Sequence, residues 1–158
     1  MGLYKSIKTN DKLEQEGIWL HVGGTRIRLA RAGGKNTKFI TAVEKVAREN
    51  KRALEFMNES SSRKLYFKLY AEHVVLDWLT EDAKGTLDEM GQATAEDNFE
   101  GERYVRGISG PDDVVVDFNK ENVLKTFDDL PDLFIMIKQT AEDPSLYRQE
   151  LLDGVSGN

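Results

Sequence analysis

Cysteine is absent from the 158 residues of this chain. Disulfides, thiolate metal centres and a cysteine nucleophile are therefore excluded, and the omission points to a reducing compartment. Histidine occurs twice, at His21 and His73. Neither has a second histidine or a carboxylate at metal-ligand spacing, so each reads as a surface or core-edge side chain. No apolar run approaches the ~18 residues that a membrane span needs, which excludes a membrane partner and predicts a soluble, cytoplasmic protein. Internal repeats and coiled-coil heptads are missing too. The three prolines, Pro111, Pro131 and Pro144, all fall where they read as element boundaries. The glycine pair Gly33-Gly34 is followed by Lys35 but lacks the spaced first glycine and the Ser/Thr of a phosphate loop, so no nucleotide cofactor is expected. The acidic pairs Glu81-Asp82, Asp88-Glu89, Asp112-Asp113 and Asp128-Asp129 lack the periodicity of a calcium loop and read as solvated turns and helix starts. No catalytic, cofactor-binding or metal-binding residue is assigned, and the expectation is a protein that is not an enzyme.

What is present is a composition 39% hydrophobic and 32% charged with a net charge of −6, which predicts one folded domain with an extensive polar surface. That total conceals an asymmetry. Residues 1–68 carry 15 Lys+Arg against 7 Asp+Glu, a net of +8, and residues 69–158 carry 7 against 21, a net of −14. The halves either neutralise each other within one fold or meet between copies, the basic N-terminal half of one against the acidic C-terminal half of the next. Nucleic acid on the basic half would have to overcome the repulsion of the whole chain, so no nucleic-acid partner is expected.

Alternation over Gly17-Ile18-Trp19-Leu20-His21-Val22, a Gly23-Gly24 turn, and renewed alternation over Arg26-Ile27-Arg28-Leu29-Ala30 predict a β-hairpin with Arg26 and Arg28 outward. Gly33-Gly34 then turns the chain into a helix capped by Asn36 and running from Thr37 towards Met57, with Phe39, Val43 and Val46 on its apolar stripe. A central helix is predicted from Arg63 to Leu79. Between about 80 and 113 the pattern dissolves into acidic and glycine-rich sequence, read as a flexible insertion. Val114 to Phe118 is predicted as a short strand able to add a third member to the hairpin. Asn119 caps one helix, Pro131 opens another to about Ala141, and Asp143-Pro144 starts a last one carrying Leu146, Tyr147, Leu151 and Leu152. The expected fold class is α+β, mainly helical, with the N-terminal β-hairpin packed on a helical bundle. Arg31 is left between two roles, an interface beside Arg26 and Arg28 or a structural pair with an acidic C-terminal helix.

Several stretches in this order are similar to one known family. They are Leu3-Tyr4, Gly17-Ile18-Trp19-Leu20, "RIRLARAGGKNTKF" (residues 26–39), "YAEHVVLDW" (70–78), Asp117-Phe118-Asn119-Lys120-Glu121-Asn122, Leu130-Pro131-Asp132-Leu133-Phe134 and Leu146-Tyr147-Arg148. The chain resembles the tail assembly chaperones of long-tailed, siphovirus-like bacteriophages. It departs from them between Gly85 and Gly110, which is longer and more acidic than the family pattern. The resemblance implies a non-enzymatic factor in the cytoplasm of the infected bacterial host, absent from the mature virion. Such a factor binds the tape measure protein, keeps it soluble, and helps recruit the major tail tube protein during tail morphogenesis. On that basis the partner-binding residues are expected in an apolar groove of Phe39, Val43, Leu133, Phe134 and Ile137, rimmed by Arg26, Arg28 and Arg31. The alternative is a structural virion protein, such as a tail terminator or head–tail connector subunit, which the charge asymmetry fits equally.

Overall fold

The computed structural model describes residues 2–49, 59–81, 93–99 and 102–148. In chain order these form α1 (Leu3–Ile7), α2 (Asp11–Glu16), β1 (Ile18–Val22), β2 (Thr25–Leu29), α3 (Thr37–Glu49), α4 (Glu59–His73), β3 (Val75–Glu81), β4 (Ala93–Phe99), β5 (Glu102–Arg106), β6 (Ile108–Ser109), β7 (Val115–Val116), α5 (Lys120–Asp129) and α6 (Pro131–Glu142), closed by a 3-10 turn at Pro144–Tyr147. The chain is an α+β protein. The predicted continuation of α3 to Met57, and Leu151 and Leu152, lie outside the described residues.

The expected hairpin forms, with Ile18 opposite Leu29 and Leu20 opposite Ile27. Gly23, at the first position of its turn, takes φ +54°, a conformation glycine adopts without steric cost. The hairpin does not stand alone, however. It is one edge of a five-stranded antiparallel sheet in the order β1-β2-β3-β5-β4, two of whose strands come from the stretch read as an insertion. Three sequence expectations are corrected here. The helix predicted from Arg63 to Leu79 stops at His73, and its last residues, from Val75 on, belong to β3, which pairs along β2. The third strand beside the hairpin is therefore β3. Residues Val115 and Val116 instead pair with β6 in a separate two-stranded ladder. Within 80–113, the described residues include β4, β5 and β6. The last predicted helix is, in its described part, the short 3-10 turn, after which Arg148 bridges to Thr9.

Two short N-terminal helices were not foreseen. Asn10 caps α2, its Oδ1 accepting from the Leu13 N–H at 3.1 Å, and Gly17 ends it at φ +93° with its N–H donating to the Leu13 carbonyl. A Cβ at Gly17 would stand 2.9 Å from both Arg28 Cγ and the Leu29 carbonyl oxygen, so the chain can pass this close to β2 only as glycine. The caps read from sequence at Asn119 and Asp143 are present, each accepting a backbone N–H, and Pro131 occupies the first turn of α6.

One face of the sheet, with Ile27, Leu29, Val75 and Trp78, packs on the helices, whose contribution is aromatic. Phe134 of α6 lies 4.7 Å from Phe67, 5.1 Å from Tyr70 and 5.3 Å from Phe127, ring centre to ring centre, each edge to face. Edge-to-face pairs add roughly 0.5–1.5 kcal/mol each beyond burial, so this cluster is what fixes α4, α5 and α6 relative to one another.

Candidate interaction surfaces

The corner after β2 is built around a buried carboxylate. Glu14 on α2 is 0% exposed, and it is satisfied three ways: by the Arg31 guanidinium, by the Thr9 hydroxyl, and by the Lys35 N–H at 2.6 Å. Burial by itself would raise the Glu14 carboxyl. The hydrogen bonds from Thr9, Arg31 and Lys35, with the Arg31 charge, outweigh it and hold the group below the ordinary carboxylate value. Gly34, at φ +53°, leaves the space this cluster needs, since a Cβ there would meet Glu14 Oε2 at 2.8 Å. Arg31 is thus a structural partner, and its acid is on the N-terminal α2 rather than a C-terminal helix. Glu14 escaped the sequence reading because an acid in a short charged segment looks solvated. The cap signal Asn10-Asp11 was the available clue to α2.

Asn36 braces the same corner. Its Nδ2 donates to the carbonyls of Arg31 at 2.8 Å and His73 at 3.0 Å, while its Oδ1 accepts the Phe39 N–H at 3.4 Å. One side chain thereby ties β2, the end of α4 and the start of α3 together.

Arg26 and Arg28 lie on the sheet face away from the core and are engaged there. The Arg26 guanidinium sits 5.5 Å from the Tyr104 ring centre and Arg28 sits 5.8 Å from that of Trp19. Beside them Arg106 grips Asp77 with two hydrogen bonds of 3.0 and 3.1 Å. The five apolar residues expected to line a groove are placed differently. Phe39, Phe134 and Ile137 are buried in the core, with Val43 and Leu133 partly buried against it. The structure therefore separates Arg31, in the corner, from Arg26 and Arg28 on the sheet face, and buries Phe39, Phe134 and Ile137 in the core, while Leu133 also lines a cleft at the α5–α6 corner.

The open apolar surface is elsewhere, at two clefts. The first, of about 680 Å³, is flanked by the exposed Leu3, Tyr4 and Ile7 of α1 and by Lys8, Lys35 and Arg148, with Asp11 as its one acid among the described residues. Arg31 also reaches this cleft. The second lies at the α5–α6 corner, about 330 Å³ in volume, where Val22, Leu130 and Met136 meet Asp129 and Asp132. A neighbouring cleft of about 400 Å³ shares Asp129 and Leu130 and adds Val116 and Lys125. Leu130, Ile135 and Met136 are 53%, 48% and 42% exposed.

Backbone contacts fix where these clefts stand. The Ala32 N–H donates to the Ala141 carbonyl at 2.9 Å and the Tyr147 hydroxyl donates to the Leu29 carbonyl at 3.0 Å, so the C-terminal end of α6 meets the end of β2 beside the basic cleft. The N-terminal end of α6 meets the turn end of the hairpin, at Val22 of β1 and Thr25 of β2, beside the acidic one. The two clefts thus stand towards opposite ends of α6, whose twelve residues span roughly 18 Å.

Among the described residues no His, Asp or Glu group is arranged to hold a metal ion, and no helix is long and apolar enough to cross a membrane. Comparison with known proteins finds no family model, no curated protein and no solved structure that matches this chain.

Proposed function

We propose that this chain is a phage tail assembly chaperone, acting in the host cytoplasm, that binds the tape measure protein, keeps it soluble and helps recruit tail tube subunits. The collinear resemblance of its motifs supports the identity. The observation that carries a masking role is the unpartnered apolar strip Leu130, Ile135 and Met136 beside an acid-rimmed cleft. Such a strip suits the apolar face of an amphipathic helix, with basic residues of that helix meeting Asp129 and Asp132. Its small size keeps each contact weak enough to be displaced, as a chaperone that leaves during tube polymerisation requires. The site so proposed is the outer face of α6, in place of the Phe134 and Ile137 face, which the core occupies.

Co-expression with the tape measure protein of the same phage tests the proposal. The expected result is that the tape measure protein becomes soluble and co-purifies with this chain, and that Leu130→Asp with Met136→Asp abolishes both effects. An insoluble tape measure protein, or capture indifferent to those substitutions, would overturn it. Detection of the chain in purified particles would favour a tail terminator or connector subunit instead.

A further inference from the structure

We infer that the basic cleft beside α1 is a binding site for a small organic anion taken up free from solution, one with an apolar body and a carboxylate, sulfonate or phosphate-monoester head carrying one or two negative charges. This rests on the composition of the cleft and not on the tail-chaperone reading. Its volume of about 680 Å³ lies in the range of small-molecule sites. Its apolar wall is α1, none of whose residues is buried. Leu3, Tyr4 and Ile7 line the cleft while 70%, 81% and 59% exposed, and their spacing sets them on one side of the helix. A five-residue helix with no foothold in the core has little stability of its own. It is tethered just past its C-terminal end, where the Asn10 N–H donates to the Tyr147 carbonyl at 2.6 Å and Thr9 bridges to Arg148. Those contacts keep three apolar side chains at the cleft, and an apolar ligand body covers them.

Cations line the rest of the cleft. Lys8 and Lys35 have no ion pair among the described residues, and Arg148 keeps its Nε buried without a hydrogen-bond partner. A fourth, Arg31, is neutralised by Glu14. The Lys35 N–H is given to the same carboxylate, so the charge of a ligand is met by side chains rather than by that loop amide. Among the described residues Asp11 is the one acid lining the cleft. Asp143, next to the lining Pro144, is turned to the Ser145 N–H and hydroxyl at 3.0 and 2.6 Å. Lys8, Lys35 and Arg148 less Asp11 leave two positive charges, which sets the charge of the ligand.

The wider charge of the chain decides between a small anion and a large one. Attraction between exposed charges reaches only about 8 Å at physiological salt. A ligand that fits within the cleft is therefore governed by Lys8, Lys35 and Arg148. A nucleic acid, an acidic protein face or an anionic bilayer extends well past the cleft and meets a chain of net charge −6, whose residues 69–158 alone carry −14. The α5–α6 corner is apolar too, but Asp129 and Asp132 give it the wrong sign for an anion, which makes it an internal control.

The dye anilinonaphthalene sulfonate, an apolar ring system with one anionic head, is the probe, titrated into the full chain and followed by fluorescence. Saturable one-to-one binding is expected, with decanoate displacing the dye and decanol, the same alkyl body without the charge, failing to do so. Lys8→Glu with Lys35→Glu, and separately Leu3→Ser with Ile7→Ser, should each raise the dissociation constant roughly tenfold or more. All four side chains are exposed, so thermal melting without the dye should stay unchanged. Leu130→Asp with Met136→Asp at the corner should leave dye binding as it was. That variant is the one expected to lose the tape measure protein, so failure of this inference and failure of the proposed function are told apart. No saturable binding, binding indifferent to either cleft variant, or displacement by decanol as strong as by decanoate would each overturn the inference. Co-sedimentation with phosphatidylglycerol vesicles that is lost on Leu3→Ser with Ile7→Ser would overturn it in favour of a membrane surface.

Discussion

The Glu14 carboxylate and the Arg31 guanidinium form an ion pair whose acid is fully buried and whose base is one-fifth exposed. Removing one member of such a pair leaves the other desolvated and unpaired, which costs more than the pair contributes. Glu14→Gln is therefore expected to lower the free energy of unfolding by about 3 kcal/mol. Chemical denaturation would measure it. The double replacement Glu14→Leu with Arg31→Met should recover part of that loss, since no buried charge is then left alone.

Acid should act through the same group. Because the folded state holds the Glu14 carboxyl below its ordinary value of 4.5, its contribution is present above that pH and is lost as pH falls through the folded value. Glu72, lowered chiefly by its hydrogen bond from Lys120, works in the same direction. Thermal melting followed downward from about pH 5 should show a steep loss in the wild type and a shallower one in Glu14→Gln. At the other extreme burial pushes the Tyr70 and Tyr147 hydroxyls up from 10.0. Their contribution is complete below that pH and disappears as pH rises beyond it.

Neighbouring positions on α6 should behave in opposite ways. Phe134→Ala opens a cavity among Phe67, Tyr70 and Phe127 and is expected to cost about 3–5 kcal/mol in stability. Ile135→Ala, on the outer face, should stay within roughly 0.5 kcal/mol. Parallel urea titrations compare the two. Equal losses would mean that α6 presents a different face to the core.

That contrast shows what the sequence conceals. Leu133 to Ile137 is an unbroken apolar run, so nothing in it says that Phe134 and Ile137 face inward while Ile135 and Met136 face out. The phase is set by Phe67, far away in the chain, and by Phe127 on the preceding helix. The same limit applies to β3. Val74 to Thr80 is almost entirely buried on both faces, so the alternation that revealed β1 and β2 is missing, and a buried strand cannot be told from a buried helix by periodicity alone. In β5, Tyr104 and Val105 are consecutive and both fully buried, which again erases the period-two signal. Where signals are local, as at Gly23-Gly24, Asn119 and Pro131, the reading and the structure agree. Glu14 is the reverse case: what makes a buried carboxylate tolerable is chiefly supplied from a distance, by Arg31, seventeen residues on, and the Lys35 N–H, twenty-one residues on, with Thr9 the near partner.

Asn36 offers the sharpest test of how the strand-to-helix corner is held. Its amide does two separable jobs: the oxygen caps α3 through Phe39, and the nitrogen bridges the Arg31 and His73 carbonyls. Serine keeps a capping oxygen but cannot span both carbonyls, whereas aspartate keeps the cap and turns a carboxylate towards them. If capping dominated, Asn36→Ser and Asn36→Asp would each cost only a few tenths of a kcal/mol. The residue is buried, and both carbonyls would be left without this donor, so Asn36→Ser should lose about 2 kcal/mol, close to Asn36→Ala. Asn36→Asp should be the worst of the three, because it sets a buried negative charge against two carbonyl oxygens. Denaturation of the three variants ranks them. A wild-type-like Asn36→Asp would mean that the bridge to His73 does not hold the end of α4 to this corner.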